Sequence, residues 1–415
     1  MAQKWDILNL IQRLIEQNIH QSIIILLQGA LVFFVWTLLP CLYIAWRFVF
    51  KLPLTICSKI ILLTIMVLGC EFHFFTLLVT GNMFSPELPN WLMLVLGWWF
   101  GCLVLFAVML ICRDIVSVVL TPFSQRKTSL NRCGMVLLII SMLLAALGIN
   151  AAVSVPQVKT VELYSPRLPA AFDGFRIVQL SDLHVSALLT GKWLKNVVSR
   201  TNQTVPDLIL LTGDMSDGYL SDRKRDIAAL ANLTAPNGVY GITGNHEYYF
   251  DYHAWMKEYQ RLGIPLLFNS HVRIARQNSS IIIAGLNDDS AELVGVKGPD
   301  IADALYGTRA EDAIVLMDHR PVRAQENARY NVMLQLSGHT HGGMIEGFDL
   351  LIKPANQGYV SGYYQVGDMA LYVNNGAGIW NGFPLRLGRR SEITLFILRS
   401  GFPAGVEQNS TKHPG

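Results

Sequence analysis

Two histidines one residue apart, His339 and His341, lie between glycines in Gly338-His339-Thr340-His341-Gly342-Gly343. Imidazole is the commonest metal ligand near neutral pH. The glycines suggest a tight turn, in which the two rings can address different atoms of one small site. Four further polar motifs lie upstream: Asp182-Leu183-His184, Gly213-Asp214, Gly244-Asn245-His246-Glu247 and Asp318-His319. Each alone has an ordinary structural explanation. Asp182 and His184 could form an exposed Asx turn, and Gly213-Asp214 is a common turn pair. Asn245 could cap the helical stretch that follows, and His319 could lie on the surface. Together they fit one chemistry. Two divalent ions about 3.5–4 Å apart can clamp the attacking and leaving oxygens of an in-line displacement at phosphorus. One carboxylate must bridge such ions, and each needs further Asp, Asn or His donors. That mixed donor set suits Mn, Fe or Zn.

The elements that must position these residues are short apolar runs. They span residues 175–180, 208–211, 239–242, 281–284, 314–317 and 333–336, and five of them run directly into a motif. Helical patterns at 192–200, 223–233 and 252–262 alternate with them. This alternation predicts a layered α/β domain with largely buried strands. Open α/β sheets place their sites at the carboxyl ends of strands, so the five strand ends can converge. Residues 154–174, with Pro156, Pro166 and Pro169, read as a linker with one edge strand. The polar tail 401–415 is expected to be disordered.

The N-terminal third is different. The chain has 415 residues, 52% hydrophobic and 15% charged. Soluble domains carry about 25% charged residues, so part of this chain is expected in lipid. Apolar runs at 23–46, 60–79, 91–112 and 134–153 each have about the 20 residues that a transmembrane helix needs. The expected division is a four-helix transmembrane region over 1–153 and a catalytic domain over 154–400. Ahead of the first run, Ile7, Leu8, Ile11, Leu14 and Ile15 recur at the spacing of a short interfacial helix. Arg47, Lys51 and Lys59 follow the first run, and Arg113, Arg126, Lys127 and Arg132 follow the third. Residues 80–90 have no Lys or Arg. Loop charge therefore puts the domain on the outer face of the membrane, the inner membrane if the cell is bacterial. Lys4 and Arg13 pull the other way. Glu71 and His73 fall inside the second run, where an interhelical hydrogen bond is favoured over a functional role. All six cysteines, Cys41, Cys57, Cys70, Cys102, Cys112 and Cys133, precede the domain and form no CxxC pair. That argues against structural zinc and a disulfide framework. A net charge of +3 is too small to indicate a nucleic-acid partner, and no protein partner is indicated.

In order, Asp-x-His, Gly-Asp, Gly-Asn-His-Glu, His and Gly-His-x-His resemble the calcineurin-like metallophosphoesterases over about residues 158–400. The wording around the motifs is similar to the membrane-attached or exported bacterial branch. The resemblance implies a four-layer α-β-β-α sandwich, two sheets between helices. It implies that Asp182, His184 and His341 hold one metal ion, that Asn245, His319 and His339 hold the other, and that Asp214 bridges them. His246 would bind no metal but contact the phosphoryl oxygens and stabilise or protonate the leaving group. The implied activity is hydrolysis of a phosphate mono- or diester by a metal-bridging hydroxide, on a substrate that could be a phospholipid or lipid-linked. The other reading is a non-catalytic metal-containing sensory or binding module coupled to the apolar helices. The presence of every expected ligand together with His246 favours the enzyme.

Some positions depart from the family pattern or sit outside it. Met344 stands where many relatives have Gln, and Glu247 where other branches have Asp. Asp217 is expected behind the ligands or at a helix cap. Asn287-Asp288-Asp289 could line the rim or form a loop. Arg386, Arg389 and Arg390 read as a solvated basic loop, and otherwise as a lure for an anionic substrate. Trp380 could cover the site or pack, and His253 and His271 take no role.

Overall fold

The computed structural model of the chain describes residues 31, 33–120 and 130–403. The expected N-terminal interfacial helix, the start of the first apolar run and the tail from 404 lie outside the described residues. Among the described residues, three helices are long and apolar enough to cross a membrane: Phe33–Lys51 (α1), Asn90–Val119 within α4 (Asn90–Leu120), and Cys133–Val153 within α5 (Leu130–Val153). The expected second span departs from a single run. It consists of α2 (Ile56–Cys70) and α3 (Phe72–Thr80), bent by 64° at Glu71. Glu71 leaves helical geometry, and its carboxylate accepts the Thr37 hydroxyl of α1 at 3.0 Å. Counted as one broken span, the pair makes a fourth crossing.

The chain divides into two compact units, Met1–Pro86 with Trp98–Ala145, and Glu87–Gly97 with Ala146–Gly415. In the first, apolar side chains surround the helices, as membrane helices require. Arg47, Tyr43 and Arg113 gather on the Asp114 carboxylate.

The second unit holds eleven strands in two sheets. The first sheet has the order β1 (Gln157–Ser165), β11 (Glu392–Ser400), β2 (Arg176–Leu180), β3 (Leu208–Thr212), β4 (Val239–Ile242). The second runs β5 (Ser270–Arg276), β6 (Ser279–Gly285), β7 (Ala313–Met317), β8 (Val332–Ser337), β10 (Met369–Val373), β9 (Gly362–Val366). β2–β3–β4 and β6–β7–β8–β10 pair in parallel, while β11–β2, β5–β6 and β9–β10 are antiparallel. Strand side chains alternate between faces, and the two faces feed different cores. Ile177, Leu208, Leu210 and Phe396 of one sheet share a buried cluster with Ile281, Ile283, Val315, Leu334 and Tyr372 of the other. Val178, Leu180, Ile209 and Leu211 face the opposite way. They pack on Trp193, Leu194 and Val197 of α6 (Gly191–Asn202), on Ile227 of α7 (Leu220–Ile227), and on Trp255 and Tyr259 of α9 (Tyr252–Arg261). The single-turn α8 (His246–Tyr249) follows β4 directly. Ile282, Ala284, Ile314 and Leu316 form a third cluster on the outer face of the second sheet.

Candidate metal centre

Three of the five polar motifs leave the carboxyl end of a strand in an unusual backbone. Asp182 (φ 51°), His184 (φ 44°), Asp214 (φ 53°), His339 (φ 68°) and His341 (φ 49°) are all left-handed. For a non-glycine residue such strain costs on the order of 1–3 kcal/mol and marks sites whose surroundings over-determine them. The surroundings are a lattice of main-chain bonds. Asp182 N–H donates to Gly213 O at 3.0 Å, His184 N–H to Asp214 O at 3.0 Å, and Gly338 N–H to His319 O at 2.9 Å. His339 N–H donates to both Asp182 carboxylate oxygens at 3.1 Å.

These turns bring Asp182, His184, Asp214, His246, His319, His339 and His341 into one small region, and Asn245 directly precedes His246. Asp182 Oδ1, His184 Nε2 and His341 Nε2 lie 3.2–3.9 Å from one another. An ion with bonds of about 2.1 Å holds tetrahedral ligands roughly 3.4 Å apart, so this trio could hold one. Asp214, His319 and His339 form a second group with donor atoms within 4.8 Å. Asp214 belongs to both places: its Oδ2 is 3.7 Å from His184 Nε2 and 3.2 Å from His319 Nε2. His246 stands beside them, its backbone N–H on Asp214 Oδ1 at 2.8 Å.

One orphaned atom tests the fit. Asn245 Oδ1 is buried without a hydrogen-bond partner among the described residues. Burying an unpaired lone pair costs about 1–3 kcal/mol, and an ion would satisfy it. His319 Nε2 faces the Asp214 carboxylate at 3.2 Å, where an ion would take the place of a proton. The outer ring nitrogens are engaged as metal-binding imidazoles require. His319 Nδ1–H donates to Thr212 O at 2.7 Å, and His184 Nδ1–H to Asp217 Oδ1 at 2.9 Å.

The electrostatics are those of a site crowded with anions. Burial opposes charge on His184, His246 and His319, yet neighbouring carboxylates raise all three above the ordinary imidazole value, His319 to about 10. Burial lowers His339 to about 4 and His341 to about 3. Burial would raise Asp182 and Asp214, but the surrounding imidazoles hold both below the usual carboxylate range.

Comparison with known proteins agrees with the motifs. The calcineurin-like phosphoesterase family model matches residues 175–343. An uncharacterized metallophosphoesterase of Campylobacter jejuni is 31% identical over 298 residues, which cover 70% of this chain and 77% of that protein. A second, from Bacillus subtilis, is 35% identical over 255 residues, 59% of this chain and 86% of that one. The chain belongs to the calcineurin-like phosphoesterase family. A transmembrane protein with metallophosphoesterase domain from Danio rerio is 34% identical over 271 residues, 63% of this chain and 62% of that protein. The chain thus spans under two thirds of that relative's length.

Several residues do more than their motifs disclose. The Glu247 carboxylate accepts the N–H groups of Asp214 (3.0 Å), Met215 (2.7 Å) and Gly244 (2.7 Å), tying two strand ends together. Asp217 lies behind two histidines rather than at a helix cap. Asp288 binds Arg320 through both oxygens, at 2.7 and 3.0 Å, and caps the turn at Ser290. Trp380 and Met344 pack against the helix-covered cluster of the first sheet. His271 Nδ1 lies 2.8 Å from Ala304 O, remote from the motifs. The basic loop needs correction. Arg386 is 1% exposed, not solvated, and Arg389 pairs with Asp349 at 3.4 Å. The apolar neighbours Pro384, Leu385 and Leu387 were the signal that this arginine is buried.

Proposed function

We propose that the chain is a membrane-anchored hydrolase of phosphate mono- or diesters that works with two divalent ions, Mn, Fe or Zn. The observation that carries this reading is the place of Asp214 between two sets of donors. In this reading Asp182, His184 and His341 hold one ion, Asn245, His319 and His339 hold the other, and Asp214 touches both. When bound, such ions supply Lewis acidity and make a water acidic enough to act as nucleophile near neutrality. The protein's own part is to place and protonate. His246 is the ring best placed to meet a substrate. Its side chain is 14% exposed, and its Nδ1 is held by Asp217 at 2.7 Å, which leaves Nε2 to face a phosphoryl oxygen or leaving group. Strain already present at five residues in three of the turns favours a pre-formed site, so little ordering remains on binding.

The two facing sheets, each with a further cluster on its outer face, support a four-layer α-β-β-α arrangement. Orientation has a support of its own. Residues 80–90 lack Lys and Arg. Glu87 in that loop pairs with Arg223 of the α/β part, and Asn90 donates to the carbonyls of Ala187 and Leu188 at 3.0 and 2.8 Å. That loop and the domain therefore share one side of the membrane, the outer side by loop charge. A site tethered there suits a phospholipid or lipid-linked substrate. The test is hydrolysis by the full chain, purified in detergent with Mn²⁺, across aryl phosphate mono- and diesters, nucleotides and phospholipids. Asp214→Ala and His246→Ala should each lose orders of magnitude in kcat. Turnover equal to the parent in both would refute the mechanism.

A further inference from the structure

Arg386 takes no part in the chemistry above, yet it is among the largest fully buried side chains. Burying a guanidinium is costly unless its donors are satisfied. Its hydrogen bonds go to main-chain carbonyls. They reach the carbonyls of Asn375 (2.6 Å), Gly378 (2.8 Å), His341 (3.2 Å) and Arg389 (3.4 Å). The guanidinium also lies 3.3 Å from His341 Nδ1. A ring that ligates through Nε2 carries its proton on Nδ1, so with an ion bound this is a packing contact and the bond to the His341 carbonyl is the one that holds. Nε2, on the opposite side of the ring, faces Asp182 and His184. One guanidinium thus holds the backbone of His341 and packs against its ring. It also holds the 375–378 turn, whose Ala377 and Gly378 N–H groups donate to Ser181 O (2.8 Å) and Asp182 O (2.9 Å). Two donors of the first group, His341 and Asp182, therefore lean on Arg386.

The strap that carries Arg386 has its own seat. Arg386 N–H donates to Gly148 O of α5 at 3.1 Å. A Cβ at Gly148 would stand 2.5 Å from Leu385, and one at Gly97 of α4 would stand 2.7 Å from Pro384. The end of one apolar helix and the start of another thus touch the strap as closely as their backbones allow. A leucine in place of the arginine would fill this volume at lower desolvation cost, so packing alone does not account for the guanidinium.

We propose that Arg386 is a positioning residue for the Asp182–His184–His341 metal site, and that α4 and α5 set its place through residues 384–386. This inference rests on the two-ion reading, and one experiment separates the two. The full chain in detergent is stripped with chelator and titrated with Mn²⁺ alone. Bound ions are counted, and the spin-coupled signal of an ion pair is followed by electron paramagnetic resonance. The parent should bind two ions. Arg386→Ala should keep one affinity and lose at least about ten-fold in the other, as loss of a group behind a ligand does. The coupled signal should give way to that of a single ion. Arg386→Lys should recover part of the loss, because an ammonium reaches some of the carbonyls without the planar fork. Arg389→Ala should keep both affinities. If Arg386→Ala, with the stripped chain still melting cooperatively, binds both ions as the parent does, the positioning role is wrong. Should that variant not fold, Gly148→Leu decides, since it displaces the strap and keeps the guanidinium. Unchanged affinity there overturns the proposal. A parent that binds no ion overturns the two-ion reading itself and this inference with it.

Discussion

Asp217 and His246 meet at 2.7 Å, carboxylate Oδ1 to ring Nδ1, and the same oxygen takes the Nδ1 of His184 at 2.9 Å. One buried anion therefore sets the rings of a proposed metal ligand and of the proposed leaving-group residue. The two rings stand edge to face, 4.5 Å apart. Burial alone would raise this carboxyl group, but the two imidazoles hold it below the usual range. Asp217→Asn keeps the shape and removes the charge. We expect kcat/KM on an aryl phosphate ester to fall about 10–100-fold, with weaker Mn²⁺ binding. Activity within two-fold of the parent would show that neither ring depends on the anion.

Glu247 joins the β3 and β4 ends through three main-chain N–H donors, and burial raises its pKa to about 6. In Glu247→Gln an amide NH₂ must face at least one of those donors. The cost should be about 1–3 kcal/mol, read as a lower denaturation midpoint of the stripped chain. An unchanged midpoint would mean that these bonds contribute nothing net.

The metal-free chain should be most stable near pH 6.5. Carboxylates raise His184 and His319 against the effect of burial, His319 to about 10. Above the unfolded value of about 6.5 the folded state holds the extra protons, so stability falls as pH rises. Burial lowers His339 to about 4 and His341 to about 3. Below pH of about 6.5 the unfolded state takes up those protons first, so stability falls as pH drops. A bound ion needs these rings unprotonated. Saturating Mn²⁺ should therefore flatten the alkaline limb of a melting-temperature profile, and a limb that persists under saturation would contradict the ligand assignment.

Gly213 has φ +94°, and a Cβ there would meet Gly244 N at 2.5 Å and His319 Nδ1 at 2.7 Å. Neither can retreat, because one is backbone and the other holds Thr212 O. Gly213→Ala should cost about 2 kcal/mol or more and abolish binding of at least one ion by calorimetry. Parent-like stability and stoichiometry would show that the turn is more pliant than its contacts imply.

Membrane orientation is tested by a reporter fused after Gly415. We expect it to score outside the cytoplasm, because the 80–90 loop lacks Lys and Arg and its residues Glu87 and Asn90 contact the α/β part within one unit. A cytoplasmic score would overturn the loop-charge argument.

Much of the α/β part was legible because buried strands write themselves as apolar runs. β2, β3, β4, β6, β7 and β8 all coincide with such runs. β5 and β9, the two edges of the second sheet, did not show, since their outward residues are polar or exposed. β10 lies outside the expected runs although Met369-Ala370-Leu371-Tyr372-Val373 is as apolar as its neighbours. β11, with Glu392, Thr394 and Arg399, mixes polar and apolar residues and has no clean pattern. The break at Glu71 is invisible to hydropathy, which averages over a run and does not register one residue leaving the helix.

By itself the sequence determined the family and named the candidate donors. Ligand type is a property of the side chain, and strand-end motifs are local enough to be read in order. Only the tertiary structure decided which atoms face one another. It put Asp214 Oδ2 between His184 and His319, gave Asp217 two histidines, and buried Arg386 against His341. Those pairs come from separate stretches of the chain and meet only when strand ends and loops are brought side by side. The physical reason is burial: water's screening is gone there, so the partner a charged group finds, rather than its type, sets what it can do.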